Sequence, residues 1–499
     1  MKELIQSEEL DNTILINIKE HYLRETFFKK YKKNVLIIIL IFFFCISEIF
    51  YRNILYEYSF VITKTIQENL SGPILEVFKI ITNIGGKYLI GLIVAFVFFF
   101  YSIIESTIFI LGLMVCIQFN YLIKTWYGNL RPFMEDITLF QGECEAGYGN
   151  PSSHSMINTF LYLTLFSYLK NTNYLKKRII NQTILLFIFI IWIIAICSSR
   201  FILGVHSVNQ VIYGMCLGLS IFLLFIVVFK LHQMPITYFK KFFRKCSYIS
   251  TILFIIIILI SLTFINRLIL SKYIDVDIDK YNTIVDKLCG ENFPQYKRFN
   301  NETFYGSLII FCILGLYLGL IIFWCLIEYN YQKKNNKSEK LRNDRTIELN
   351  EMEEKNDGKN DNTNDEGNDK DIISDDSLTP KDESNNYEYE ELIDEYINNW
   401  NENRKYIDNQ SKIILILILV ICLSPLWIFY FIIPNDINLL YIFIFKVGFP
   451  FFFSVFFIYS FGLYVLIAYA CGPKEFIFSK LNEKGRKKKY LTNLIRVFI

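Results

Sequence analysis

Apolar positions along this chain come in blocks rather than stripes. Ten runs of aliphatic and aromatic residues stand out: Val35–Leu55, Tyr88–Ile104, Thr107–Ile123, Met156–Leu169, Ile180–Cys197, Val208–Phe229, Tyr248–Ile265, Phe304–Ile327, Ile413–Ile433 and Phe451–Cys471. Most match the roughly 17 to 25 residues that a helix needs to cross a bilayer. Backbone groups in lipid must pair within their own segment, so such runs are read as helices. The pattern predicts an all-α polytopic membrane bundle. The second and third runs, parted only by Glu105 and Ser106, are expected to form a tight hairpin. Met156–Leu169 is short and is expected to begin nearer His154; Leu439–Phe449 is a shorter run before Pro450, either interfacial or part of a kinked tenth span.

Polar residues between the runs orient the bundle. Lys and Arg gather before the first run (Lys29, Lys30, Lys32, Lys33), after the fourth (Lys170, Lys176, Lys177, Arg178), after the sixth (Lys230, Lys240, Lys241, Arg244, Lys245) and after the last (Lys484, Arg486, Lys487, Lys488, Lys489). With ten spans all four clusters share one side, which the positive-inside rule makes cytosolic. Loops after the first, third, fifth and seventh spans then face the lumen or exterior. Asn69 and Asn301 lie there in the sequons NLS and NET, as glycosylation acceptors.

From residue 330 to 408 the apolar pattern stops and Glu, Asp, Asn, Lys and Ser dominate. Such composition cannot bury enough apolar surface to offset its ordering entropy. The expected organisation is a cytosolic segment over 1–34, a six-span core over 35–229, two further spans with a lumenal loop over 230–329, an acidic disordered cytosolic linker over 330–408 with a short helix near Tyr387–Trp400, C-terminal spans over 409–472, and a basic cytosolic tail over 473–499. The first apolar run is long enough to stay as an anchor rather than be cleaved.

Composition agrees with the pattern. The chain has 499 residues, of which 53% are hydrophobic, and its mean hydropathy of +0.34 is too high for a soluble globular fold. The net charge of +3 averages basic flanks against an acidic linker, so it points to no nucleic-acid partner; the bilayer is the expected one. Most of the eleven cysteines fall inside spans as small buried hydrophobes. Cys144 and Cys289 instead fall in loops on the oxidising side, where a disulfide between them is chemically allowed if the loops meet.

Three segments concentrate ionisable residues at span ends, all on that same side, where such residues are costly and tend to be functional. In KTWYGNLRP, Lys124 and Arg131 are seven apart and share a face if the third helix continues. In GYGNPSSHSM, Ser152, Ser153 and His154 precede the fourth span, and a helix starting there offers free N–H groups to an anion. In SSRFILGVHSVNQV, Arg200 can grip phosphate oxygens in bidentate fashion. His206 and Gln210 are four apart, so on a helix the Gln210 oxygen accepts from one imidazole nitrogen and frees the other to attack. Taken singly, a Lys and Arg pair at a membrane boundary is more often an interfacial anchor, and a lone His a satisfied polar residue. Jointly they are more telling, because two of only four histidines fall in these segments.

The order and spacing resemble the signature of the type 2 phosphatidic acid phosphatase and haloperoxidase superfamily: Lys, six residues, Arg-Pro; Pro-Ser-Gly-His; Ser-Arg, five residues, His, three residues, Asp. Lys124, Arg131 and Pro132 match the first part. Pro151, Ser152 and His154 match the second, with Ser153 in the glycine place, and Ser199, Arg200 and His206 match the third, with Gln210 in the aspartate place. The likeness covers about Val35 to Phe229, the usual six-span core, leaving about four C-terminal spans and the linker outside it. Pro-Ser-Ser-His looks like the dolichyl diphosphatase branch; Gln210 is similar to both that branch and the glucose-6-phosphatases, and Cys144-Glu145-Ala146-Gly147 resembles the latter.

The resemblance implies a metal-independent phosphatase without cofactor. His206 would attack phosphorus to give a phosphohistidine, helped by Gln210. His154 would protonate the leaving group and then deprotonate water. Lys124, Arg131, Ser152, Ser153 and Arg200 would hold the phosphate. A membrane lipid carrying a monoester or diphosphate is the expected substrate, met at the lumenal or exofacial face of the endoplasmic reticulum, another endomembrane or the plasma membrane. A sugar phosphatase and a non-catalytic lipid-binding or transport relative are the alternatives.

Overall fold

The computed structural model describes residues 2–140, 145, 147–171, 178–273, 278–290, 304, 306–329, 428 and 443–462. Among these residues the regular structure is helical and no strand occurs. Among the described residues seven helical stretches, some of them broken, are long and apolar enough to cross a membrane: Asn34–Asn69, Gly72–Phe98, Ile103–Glu135, Ile179–Ile202, Val208–Gln233, Cys246–Asn266 and Ile310–Tyr329. The protein is an integral membrane protein. Of the ten runs, Ile413–Ile433 lies outside the described residues apart from Ile428, and Phe451–Cys471 is described only as far as residue 462; the linker over 330–408 and the tail over 473–499 also lie outside them.

The chain divides into two compact units, the first formed by Met1–Met234, Leu253–Ile313 and Ile433–Phe449. It contains α1 (Lys2–Asn69), α2 (Gly72–Ile84), α3 (Lys87–Phe100), α4 (Ile103–Tyr127), the short α5 (Pro132–Glu135), α6 (Ser153–Lys170), α7 (Ile179–Ile202) and α8 (Val208–Phe222). The hairpin between the second and third runs turns earlier than expected. α3 ends at Phe100, and Ser102 caps α4 by accepting from Glu105 N–H at 3.2 Å while the Glu105 carboxylate accepts from Ser102 N–H at 3.1 Å. Glu105 and Ser106 therefore belong to the first turn of α4, because a reciprocal capping box satisfies two orphan donors there.

α6 is the centre of this unit, packed against α4, α7 and α8. It is the fourth apolar run, and although only 18 residues long it is lined by Met156, Phe160 and Leu161, all fully buried. Lipid offers no hydrophobic drive between helices, so close backbone approach has to supply the contact. Gly214 and Gly218 on α8 do so. A methyl group at Gly214 would stand 2.6 Å from Ser152 O, and one at Gly218 would collide with Met156 O. This approach brings the start of α6 against the start of α8.

Parts beyond the expected core also join the first unit. On α10 (Cys246–Tyr273), Thr263 accepts from Gln118 Nε2 at 3.1 Å and Asn266 accepts from Trp126 Nε1 at 2.9 Å, both donors lying on α4. α11 (Ile278–Cys289) packs Val285, Tyr281, Leu288 and Cys289 against Phe133, Met134 and Tyr148.

The second unit comprises Pro235–Ile252, Leu314–Ile432 and Pro450–Ile499. Its α9 (Ile236–Arg244) buries Phe239 and Phe243, Tyr317 donates its hydroxyl to Phe242 O at 2.8 Å, and Arg244 pairs with Glu328. Gly315 and Gly319 lie against the backbone of Phe452 and Phe456.

Candidate active site

α4 does not run on to Arg131 as the seven-residue spacing suggested. It stops at Tyr127, where Gly128 adopts the left-handed conformation at φ 58° and donates to Lys124 O at 3.0 Å. Arg131 then precedes α5 in extended backbone. Its buried guanidinium turns inward, donating from Nε to Gly147 O at 2.7 Å and from Nη1 to Val205 O at 3.4 Å. Lys124, also buried, ends α4 beneath it in sequence, 5.4 Å from the Tyr121 ring.

His206 likewise sits in a turn rather than on a helix. α8 starts at Val208 with Ser207 as its cap, and Gln210 bends back across the cap: its Oε1 accepts from Ser207 N–H at 3.4 Å and lies 3.0 Å from His206 Nδ1. The predicted pair forms, but through capping geometry instead of one helical turn. Gln210 Nε2 donates to Leu130 O at 2.8 Å. A carbonyl can only accept, so this contact fixes which end of the amide is oxygen and aims that oxygen at His206. Nδ1 must then carry the proton, leaving the lone pair on Nε2. Nε2 lies 3.0 Å from Arg131 Nη1, which donates to it.

Ser152 is the cap residue of α6 and places Ser153 and His154 in its first turn, as the sequence suggested. Ser152 N–H donates to Gln210 O at 3.0 Å, and its hydroxyl accepts from Ser155 Oγ at 3.1 Å. Ser153 is turned elsewhere: its hydroxyl donates to Asn120 Oδ1 at 2.6 Å, and Asn120 Nδ2 donates to Pro151 O at 3.3 Å. Asn120 thus ties α4 to the loop before α6.

The structure adds Glu145, whose carboxylate sits among the cations. It lies 2.7 Å from Arg131 Nη1, 3.0 Å from Arg200 Nη2 and 4.0 Å from His154 Nδ1. Arg200 is fully buried at the end of α7 and donates from Nη1 to Thr82 Oγ1 on α2 at 2.6 Å. Burial pushes the Glu145 carboxyl up, but Arg200 and Arg131 outweigh it and hold the group well below the usual carboxylate range. On the imidazoles burial reverses its sign and joins the two arginines and Lys124 in acting downward: His154 is lowered to about 3 and His206 well below its ordinary value. Both rings are neutral at physiological pH while the seat holds only Glu145. Neither Glu145 nor Thr82 was assigned to this seat from sequence; Glu145 lies in the run Cys144–Gly147, to which no role was given.

Two expected features fall partly outside the described residues. Cys289 is disulfide-bonded; Cys144, its expected partner, lies outside them. Asn69 is exposed at the end of α1, whereas Asn301 lies outside them. Among the described residues no group of three His, Cys, Asp or Glu could hold a metal ion.

Known proteins resemble part of this chain. A dolichyldiphosphatase of Saccharomyces cerevisiae (strain ATCC 204508 / S288c) is 30% identical over 119 residues, or 23% of this chain and 48% of that protein. The chain thus spans about half the length of that curated relative. The crystal structure of a transmembrane PAP2 type phosphatidylglycerolphosphate phosphatase from Bacillus subtilis is 26% identical, covering 38% of this chain and 93% of that one with a TM-score of 0.34. The family model of the PAP2 superfamily matches residues 105–234, and it is this stretch of the chain, carrying Lys124, Arg131, His154, Arg200 and His206, that is of the PAP2 superfamily.

Proposed function

We propose that the protein is a membrane phosphatase that hydrolyses a phosphate monoester or diphosphate of a lipid through a phosphohistidine on His206. The observation that carries this reading is the locked tautomer: Gln210 holds the proton on Nδ1 and leaves the Nε2 lone pair among the cations. In the resting structure Arg131 occupies that lone pair and Glu145 occupies the anion seat. A substrate phosphoryl group displaces the carboxylate and takes its partners. Arg131 and Arg200 then bind phosphoryl oxygens, with Lys124 adding a third positive charge.

In-line attack by Nε2 forms the N–P bond as the ester or anhydride P–O bond breaks, and the leaving oxygen takes a proton from His154. His154 is neutral in the resting site. A phosphate dianion offsets the three cations that depress its pKa, so substrate binding itself favours the protonated acid. In the second half, neutral His154 removes a proton from water, which attacks phosphorus and releases His206. Charge neutralisation rests on Lys124, Arg131 and Arg200, and the scheme uses no metal.

The lipid substrate follows from the setting, since a headgroup reaching the span ends keeps its chain between helices. The basic clusters of the sequence support a site on the lumenal or exofacial side, and the endoplasmic reticulum, another endomembrane or the plasma membrane fits that orientation. The deciding experiment measures phosphate release by the full chain in mixed micelles from dolichyl diphosphate, phosphatidic acid, sphingoid phosphate and glucose 6-phosphate. Release from a lipid by wild type and not by His206→Ala is expected. Preference for glucose 6-phosphate selects the sugar phosphatase, and no release at all selects the non-catalytic alternative.

A further inference from the structure

Outside the seat, the most heavily committed ionisable side chain is Glu48, in the first membrane helix. It is fully buried. Arg52, one turn on, donates to it from Nε at 2.9 and 2.8 Å and from Nη2 at 2.6 Å, and packs its guanidinium 4.1 Å from the Tyr127 ring. That pair alone would offset the cost of a carboxylate in lipid. Glu48 nevertheless takes two further donors from distant segments: Asn150 Nδ2 at 2.8 Å and Asn209 Nδ2 at 3.5 Å. Asn150 Nδ2 also donates to Asn129 Oδ1 at 3.2 Å, and Asn129 O accepts from Gly149 N–H at 2.8 Å.

These three asparagines belong to the three reactive segments. Asn129 lies two residues before Arg131, Asn150 two before Ser152, and Asn209 directly before Gln210. We infer that Glu48 is a positioning residue of the reaction, the one acceptor on α1 that sets the arginine, serine-histidine and histidine-glutamine segments in register with one another. The inference deepens the proposed phosphatase reading and rests on it. Without the carboxylate, the Asn150 and Asn209 amides lose their shared acceptor. The Ser152 N–H to Gln210 O contact then loosens, and with it the amide that fixes the tautomer of His206. Lys124 and Arg200 are carried by α4 and α7 outside this network and stay in place, so the loss falls on turnover more than on binding.

The test compares full-length Glu48→Leu, Glu48→Gln and Asn150→Ala in the same micelles. Glu48→Gln keeps an oxygen acceptor and is expected within about threefold of wild type. Glu48→Leu and Asn150→Ala are expected to lower kcat by about 10 to 100-fold, the usual range for outer-shell partners, with KM changed by less than about threefold. The double variant Glu48→Leu with Asn150→Ala should be no worse than either alone. Equal losses in Glu48→Gln and Glu48→Leu, multiplicative losses in the double variant, or a kcat that falls only in step with thermal stability would overturn the inference.

Hydrogen exchange gives a readout free of turnover. The amides of residues 147–156 and 206–211 should exchange faster in Glu48→Leu and at wild-type rates in Glu48→Gln; unchanged protection in Glu48→Leu also overturns it. If wild type releases phosphate from no substrate while the exchange pattern appears, the phosphatase reading fails and the positioning network stands.

Discussion

Two carboxylates in the first unit each meet arginine, and they behave as opposites. Glu145 keeps 22% of its side-chain surface exposed and accepts ion pairs from Arg131 and Arg200, which arrive from different elements. Glu48 has no exposed surface, takes its arginine from its own helix, and spends its remaining capacity on amides that never face the seat. Among the described residues the first lies against Arg131, Arg200 and His154, groups that an incoming phosphoryl group would also use. The second is held by groups with no other anion to serve. Exposure and partner origin together separate an exchangeable occupant from a fixed brace, although both are acid–arginine contacts at 2.6 to 3.0 Å.

The largest effect should come from removing what the exchangeable site serves. His206→Ala is expected to lower kcat by at least about 10³-fold and to abolish acid-labile phosphate on the protein after rapid quench with labelled substrate. Persistence of that label would break the assignment. Next, Arg200→Ala should cost about 10² to 10³-fold in kcat/KM, the range for losing one preorganised donor to transition-state charge. A similar loss in Thr82→Val would show that Arg200 depends on its orienting hydroxyl; a few-fold loss is expected.

Gln210→Glu should lower activity about tenfold despite adding a charge that favours imidazolium, because a carboxylate faces Leu130 O where an amide donated. The acid limb of its kcat/KM profile should move to higher pH. In wild type His154 is lowered to about 3 and His206 well below its ordinary value, so neither ring is an imidazolium at neutral pH. The free enzyme therefore lacks the acid, and one proton must be taken up by His154 as the substrate binds, from solvent or from the substrate monoanion. kcat/KM should fall about tenfold per pH unit above the second phosphate pKa of about 6. A flat profile to pH 8 would contradict the neutral ring.

The mildest change addresses the occupant itself. Glu145→Gln removes the competing charge while keeping the shape, so orthovanadate should inhibit several-fold more tightly and KM should fall by a similar factor. Weaker vanadate binding would mean that Glu145 builds the seat rather than filling it.

Much of the site was legible because its residues carry charge in an apolar chain. Lys124, Arg131, His154, Arg200, His206 and Gln210 stood out against their surroundings, and so did the helix start at Ser152. What misled was periodicity beyond a helix end: Gly128 stops α4, so Arg131 arrives by a turn, and Ser207 caps α8, so Gln210 reaches His206 across the cap. The capping box at Ser102 and Glu105 was present in the sequence as S-x-x-E, but the charge of Glu105 drew the turn four residues too far. Glu48 and the asparagines were invisible for another reason. Their pairings span 21 to 161 residues, and although Glu48 and Arg52 stand four apart in the first run, nothing there shows which distant amides the carboxylate will meet.

The packing of α11 carries a consequence for biogenesis. Tyr148 stands between Gly147, whose carbonyl fixes Arg131, and Gly149, and its buried ring rests on Val285 with Leu288 and Cys289 nearby. Every charged group of the seat is already synthesised when the ribosome passes Gln210, yet the surface that backs Tyr148 emerges only with residues 281–289. The reactive centre is thus completed late, after a further helix has been inserted and its following loop delivered to the same side, which delays its maturation beyond the synthesis of its own residues.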